Sequence, residues 1–183
     1  TLLSGGETFF QNDPDWPAPQ VVVRFGAVPI SKWTNAYLDR APIEHRIHIR
    51  ENGVWADDSH RTTFFLQANE TASCNALRLA TPAHADSQWA SAVAQTEQKC
   101  WQTNQHLLAS AEFDGGYVAD VVDLAPAEST LFVGNSLPIR HLDQFAQAQP
   151  KPLFAYASRG ASGIDGNIST ALGLHLGRDR NLI

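Results

Sequence analysis

The 183-residue chain contains no methionine, not even at its first position, and it opens on Thr1 in mid-phrase. That opening reads as the edge of a piece excised from a longer protein. The far end reads the same way, because "GRDRNLI" stops where an apolar run begins and a strand should continue. Cysteine is scarce: Cys74 and Cys100 lack metal-ligand spacing and read as a reduced pair in a cytoplasmic protein. No apolar run approaches the roughly 18 residues of a membrane-spanning helix. No basic n-region followed by an apolar stretch opens the chain, which is the pattern a secretory leader needs. Basic residues are outnumbered, 13 against 19 for a net charge of −6, and no Lys/Arg stripe appears. A nucleic-acid-binding surface is therefore disfavoured.

What the sequence does have is alternation of short apolar runs with helical segments. "QVVVRFG" is β-branched and bounded by Pro19 and Gly26, so it reads as a buried strand. "SKWTNAYLD" reads as a helix capped by Ser31, and "EHRIHIR" as a second strand. Strand, helix, strand within about 30 residues is a βαβ unit and implies a parallel sheet. "TTFFLQ" is a further strand, followed by a helix capped by Asn69. From Ser87 to about Phe113 the chain has no glycine or proline, which predicts one long helix ended by the "DGG" at 114–116. A second α/β series follows: a short helix in "YVADVVDLA", strands in "STLFVG" and "KPLFAYA", and helices in "NSLPIRHLDQFAQ" and "SGIDGNISTALGLHLG". The best candidate for a domain boundary is near residues 82–86.

Two strand-to-helix turns carry the chemistry. They are "LFVGNSLPIR" (131–140) and "FAYASRGASGIDG" (154–166). Ligands of α/β sheets sit outside the carboxyl ends of the strands, where helix N-termini offer free N–H groups and partial positive charge. Asn135, Ser136 and Arg140, with Arg159 from the second turn, would line an anion-binding face there. The plainer alternative is that Gly134 merely ends a strand and Asn135 or Ser136 merely caps a helix. Arg159 calls for a partner, either Asp165 within the protein or a ligand carboxylate. The glycines at 160, 163 and 166 form G-x-x-G-x-x-G, not the dinucleotide-binding G-x-G-x-x-G, and no P-loop lysine follows.

The pairing of "LFVGNSLPIR" with "SRGASGIDG" resembles the 2-succinyl-5-enolpyruvyl-6-hydroxy-3-cyclohexene-1-carboxylate synthases, thiamine-diphosphate enzymes of the menaquinone pathway. "VVVRFGAVPISK" at 21–32 is similar to their central domain, although Trp33 stands where a second basic residue is expected beside Lys32. The resemblance implies an α/β fold: residues 1–85 as the later part of a Rossmann-like central domain, 86–113 as a connecting helix, and 114–183 as the opening of a diphosphate-binding domain. It implies a transferase that decarboxylates 2-oxoglutarate and adds the succinyl-semialdehyde unit to isochorismate. Arg140, Arg159 and Lys32 would meet substrate carboxylates, and Asn135 and Ser136 would lie near the cofactor. Thiamine diphosphate and Mg²⁺ would serve the parent enzyme. The family's metal-binding Gly-Asp turn and its activating glutamate would both lie outside residues 1–183, so this piece alone is expected to be inactive and to hold neither group. The remaining domains of the same chain are its expected partners, within a homo-oligomer. Two alternatives remain: another thiamine-diphosphate enzyme of the acetolactate-synthase type, and a non-catalytic α/β module that senses an anionic metabolite.

Other residues read as bland. His45 and His48 are expected to face water, and "DDSH" at 57–60 to be a polar loop. Arg24, Arg46, Arg50 and Arg61 fall in one half of the chain, as a solvated face or as a basic, regulatory pocket.

Overall fold

The computed structural model describes residues 3–11, 18–57, 59–81, 87–158, 163–177 and 180–183. In chain order the elements are α1 (Gly6–Phe9), β1 (Val21–Phe25), α2 (Lys32–Arg40), β2 (His45–Ile49), β3 (Phe64–Leu66), α3 (Glu70–Ala80), α4 (Gln88–Ser110), α5 (Asp114–Leu124), β4 (Thr130–Val133), α6 (Leu137–Phe145), β5 (Phe154–Ala157) and α7 (Asn167–Leu176). The fold is α/β, with parallel strands in two small sheets. By contacts the chain forms two units, Phe10–Thr96 and a second made of Thr1–Phe9 with Glu97–Ile183. The boundary foreseen at 82–86 lies outside the described residues, and the division between the units falls within α4, whose 23 residues span about 35 Å.

In the Phe10–Thr96 unit, β1, β2 and β3 lie side by side, with Val23 opposite Ile47 and Ile47 opposite Phe64. The helix starts are fixed by the side chains expected to fix them. Ser31 Oγ accepts from the Thr34 N–H at 3.0 Å, and Asn69 Oδ1 accepts from the Ala72 N–H at 2.9 Å. The histidine expectation fails for one of the pair. His45 is exposed, but His48 is 1% exposed and among the most buried side chains. Three residues apart on a strand, the two rings cannot share a face. The Arg24 guanidinium can only donate, so His48 Nδ1 accepts from it at 2.9 Å and Nε2–H donates to the Gly26 carbonyl at 2.8 Å. Asp57, in the loop read as merely polar, is buried as well.

In the other unit, a buried carboxylate gathers the early chain. Glu97 accepts from the Ser4 N–H at 2.7 Å, from the Gly5 N–H at 3.1 Å and from Trp101 Nε1–H at 2.8 Å. The thiol of Cys100 points at the Gly5 carbonyl, 3.6 Å away, and both cysteines are free. Val122, Leu131, Val133 and Ile139 form the core, backed by Leu142 and Ala157. The "DGG" does not terminate α4, which ends at Ser110; it forms the first turn of α5. Packing explains this, since a Cβ on Gly115 would lie 2.4 Å from a ring carbon of Phe145. Strands β4 and β5 pair in parallel with Val133 opposite Ala157. Leu182 bridges Thr130 on the other side of β4, also in parallel. The chain thus leaves β4 toward β5, then leaves β5 back across β4. That reversal is a topological switch point, where open α/β sheets place their ligands.

Candidate functional site at the ends of two parallel strands

The turn Gly134–Asn135–Ser136 joins β4 to α6, and the residues after Ala157 join β5 to α7. Because the strands are parallel and in register at Val133 and Ala157, both turns emerge at one end of the sheet. Asn135 ties them together. Its side chain is 4% exposed, and its Nδ2 donates to the Ser158 carbonyl at 2.8 Å and to the Gly163 carbonyl at 2.5 Å. Two amide N–H groups on one nitrogen are thereby directed at the backbone on either side of residues 159–162. The side chain singled out as a cofactor contact is thus engaged with the neighbouring turn.

Ser136 stands in contrast. It occupies the N-cap position of α6 with φ 74° and ψ −127°, and its side chain makes no capping bond. The residue is exposed. A positive φ is uncommon outside glycine and costs about 1–3 kcal/mol where the surroundings enforce it. The reading of this serine as a mere cap fails, since its hydroxyl is not used on the helix. Pro138 lies in the first turn of α6, where a missing N–H and a fixed φ suit a helix start. Arg140 lies one turn further along α6, on the same face as Ser136, and is exposed. Among the described residues it makes no ion pair.

Arg159 and Gly160 lie outside the described residues. Asp165, within the stretch "SGIDGNISTALGLHLG" read as a helix, lies before α7. It precedes Gly166, which has φ 73° and is the N-cap of α7, and it is exposed. Asn167 was missed in the sequence. It begins α7, and its Nδ2 would lie 3.4 Å from a Cβ placed on Gly134, so the start of α7 reaches the β4 turn. Its Oδ1 is buried without a hydrogen-bond partner. An asparagine directly after the last glycine of G-x-x-G-x-x-G was the available signal. Lys32 belongs to the other unit, where it opens α2, is exposed and holds its ammonium 4.5 Å from the centre of the Trp33 ring.

The exposed Ser136 hydroxyl, the Arg140 guanidinium and the N-terminus of α6 are donors of one polarity at one strand end, which fits an anionic group. No group of three His, Cys, Asp or Glu side chains converges for a metal among the described residues.

No family model matches the chain. Curated relatives do. The 2-succinyl-5-enolpyruvyl-6-hydroxy-3-cyclohexene-1-carboxylate synthase of Roseiflexus castenholzii is 49% identical over 178 residues, covering 97% of this chain and 30% of that protein. The synthase of the same name from Geobacillus thermodenitrificans is 39% identical over 165 residues, covering 86% of this chain and 27% of that protein. The one from Haloarcula marismortui is 38% identical over 158 residues, with 86% and 26% covered. The chain therefore spans 26–30% of the length of these relatives. Across nearly all of its own residues, then, the chain is a part-length member of the 2-succinyl-5-enolpyruvyl-6-hydroxy-3-cyclohexene-1-carboxylate synthase family.

Proposed function

We propose that these residues form part of a thiamine-diphosphate-dependent transferase of menaquinone biosynthesis, which decarboxylates 2-oxoglutarate and adds the resulting four-carbon unit to isochorismate. The observation that carries this reading is the strained, uncapped Ser136 at a strand-end switch point, with Arg140 one helical turn away. The names of the relatives supply the reaction class. Thiamine diphosphate, when bound, supplies the nucleophilic carbon. The residues of this chain supply charge and position. Both substrates carry two carboxylates, and an arginine fork can hold a carboxylate through two parallel N–H···O bonds. Arg140 and Arg159 take that role, and the Lys32 ammonium adds a compact positive charge for a carboxylate. Ser136 Oγ–H donates toward the cofactor's anionic end or the substrate beside it. Asn135 contributes by holding the two turns in one arrangement beside the cofactor. Mg²⁺ has ligands from beyond these residues, and the chain's partners are the rest of the same polypeptide and a second copy of it, in the cytoplasm.

The test uses the full-length protein. Ser136→Ala and Arg140→Ala should each lower turnover of 2-oxoglutarate with isochorismate by a factor of ten or more, with the melting temperature nearly unchanged. Normal turnover in both would refute the reading. The anion-sensing alternative predicts instead that the wild type binds 2-oxoglutarate without consuming it.

A further inference from the structure

Three asparagines show how side-chain amides are used inside this chain. Asn35 Nδ2 donates to the Pro29 carbonyl at 2.8 Å, Asn104 Nδ2 to the Gln144 carbonyl at 3.1 Å, and Asn135 Nδ2 to the carbonyls of Ser158 and Gly163. Each amide holds one segment to another. Asn167 departs from this pattern. It is half-buried, its Oδ1 is shut away from water without a partner, and its Nδ2 donates to no group among the described residues. A neutral amide carries N–H donors and a carbonyl acceptor, and leaving both idle at such a position costs free energy. A purely structural role does not explain that cost. The position of the amide says what would use it. Asn167 opens α7, and its Nδ2 comes within 3.4 Å of where a Cβ on Gly134 would stand. The amide therefore reaches from the start of α7 to the first residue of the β4–α6 turn. Ser136, with its unused hydroxyl, lies two residues further along that turn. The N-cap of α7 is Gly166, which has no side chain, so Asn167 is the first polar side chain of α7 at this end. The acid nearest in sequence, Asp165, is exposed and makes no hydrogen bond to it.

We propose that Asn167 is a further binding residue of the strand-end site, its Nδ2–H donating to an oxygen of the anionic group bound beside Ser136, an assignment that rests on the function proposed above. The oxygen belongs to a phosphate or a carboxylate, and so to the cofactor's diphosphate or to a carboxylate of 2-oxoglutarate. A hydrogen bond to a charged oxygen is stronger than one between neutral groups, so a single amide N–H counts there. It also directs the group without adding to the positive charge that Arg140 already brings. Ser136 on one turn and Asn167 beyond the other hold the anion from both strands. The Asn135 cross-link between the turns keeps these two donors in one arrangement. Asn135 and Asn167 thus divide the work: the first amide is spent on the protein, the second on the ligand.

The test uses the full-length protein and two variants. Asn167→Leu removes both polar atoms at similar size. Asn167→Asp keeps the shape, loses the N–H donor and sets a negative charge against the anion. An acid in the first turn of a helix is favourable, so the second variant keeps the test available if the first fails to fold. Calorimetric titration with thiamine diphosphate in excess Mg²⁺ gives the dissociation constant of the cofactor. The KM for 2-oxoglutarate at saturating cofactor reports on the substrate. At least one of these values should rise by a factor of about ten or more in Asn167→Leu, and further in Asn167→Asp, with the melting temperature of the ligand-free protein nearly unchanged. The value that rises names the source of the anion. Wild-type values of both in Asn167→Asp would overturn the inference, as would a lowered melting temperature with both values intact. The failure of the proposed function is distinguishable: a wild-type protein that binds no thiamine diphosphate would overturn that reading and this assignment with it.

Discussion

Ser136 has a backbone that suits glycine and a hydroxyl that the helix does not use. The two properties can be separated. Ser136→Gly removes the strain and the hydroxyl together, so it should raise stability by about 1 kcal/mol while lowering activity in the full-length protein. Ser136→Ala keeps the strain and should lower activity without the gain. Denaturant melts of the two variants, read beside their turnover, check this. Asn135→Ala behaves oppositely. It removes the hydrogen bonds to Ser158 and Gly163, at about 0.5–1.5 kcal/mol each, so it should destabilise by at least about 1–3 kcal/mol and speed amide exchange at Ser158 and Gly163. Unchanged exchange there would show that the bonds to Ser158 and Gly163 do not hold the turn. In the sequence these neighbours look alike, two small polar residues before a helix. Only the positions of the Ser158 and Gly163 carbonyls distinguish them, and those lie after β5, 23 and 28 residues away.

The strands and the capped helices were legible because their causes are local. Ser31 and Asn69 cap the helices that follow them, and β-branched runs bounded by proline or glycine became β1 and β4. The departures have non-local causes. Gly115 and Gly116 lie inside α5 because two aromatic rings, Phe113 and Phe145, close over that spot with centroids 5.0 Å apart. His48 is buried because Arg24 and Gly26, from the neighbouring strand and its end, satisfy both ring nitrogens. The loop before β3 has a pH signature of its own. Burial pushes the Asp57 carboxyl up, but bonds from Thr62 and Ser59 and the charge of Arg24 outweigh it, so the group lies below the usual carboxylate range. A depressed folded-state value means the stabilisation is present above the ordinary aspartate range and is lost as pH falls through the lower, folded value. Asp57→Asn should therefore flatten the acid limb of the stability curve and lower stability at neutral pH. Urea melts between pH 7 and pH 3 measure it, and an unchanged acid limb would refute the assignment.

At the scale of the whole chain, large apolar side chains remain open to solvent. On α7 and the turn before it, Ile164, Ile168, Leu172 and Leu176 are 67%, 79%, 56% and 86% exposed. Ile168, Leu172 and Leu176, at a spacing of four on α7, form one stripe. A stripe of that kind should bind an environment-sensitive apolar dye, and Leu172→Lys with Leu176→Lys should abolish most of the signal. Equal dye binding by the double variant would place the apolar surface elsewhere. No motif search exposes such a stripe, since small and apolar residues in "NISTALGLHL" look the same whether covered or bare. The Glu97 staple bears on how the chain folds. Its carboxylate meets Gly5 across 92 residues, and closing a flexible loop of that length costs about 4 kcal/mol in entropy. That penalty shrinks once the intervening residues have condensed into a unit of their own, because the ends are then separated by a structure instead of a random coil. The residues from Phe10 to Thr96 are therefore expected to fold first and Ser4–Gly5 to dock late, so that Glu97→Gln accelerates unfolding far more than it slows folding.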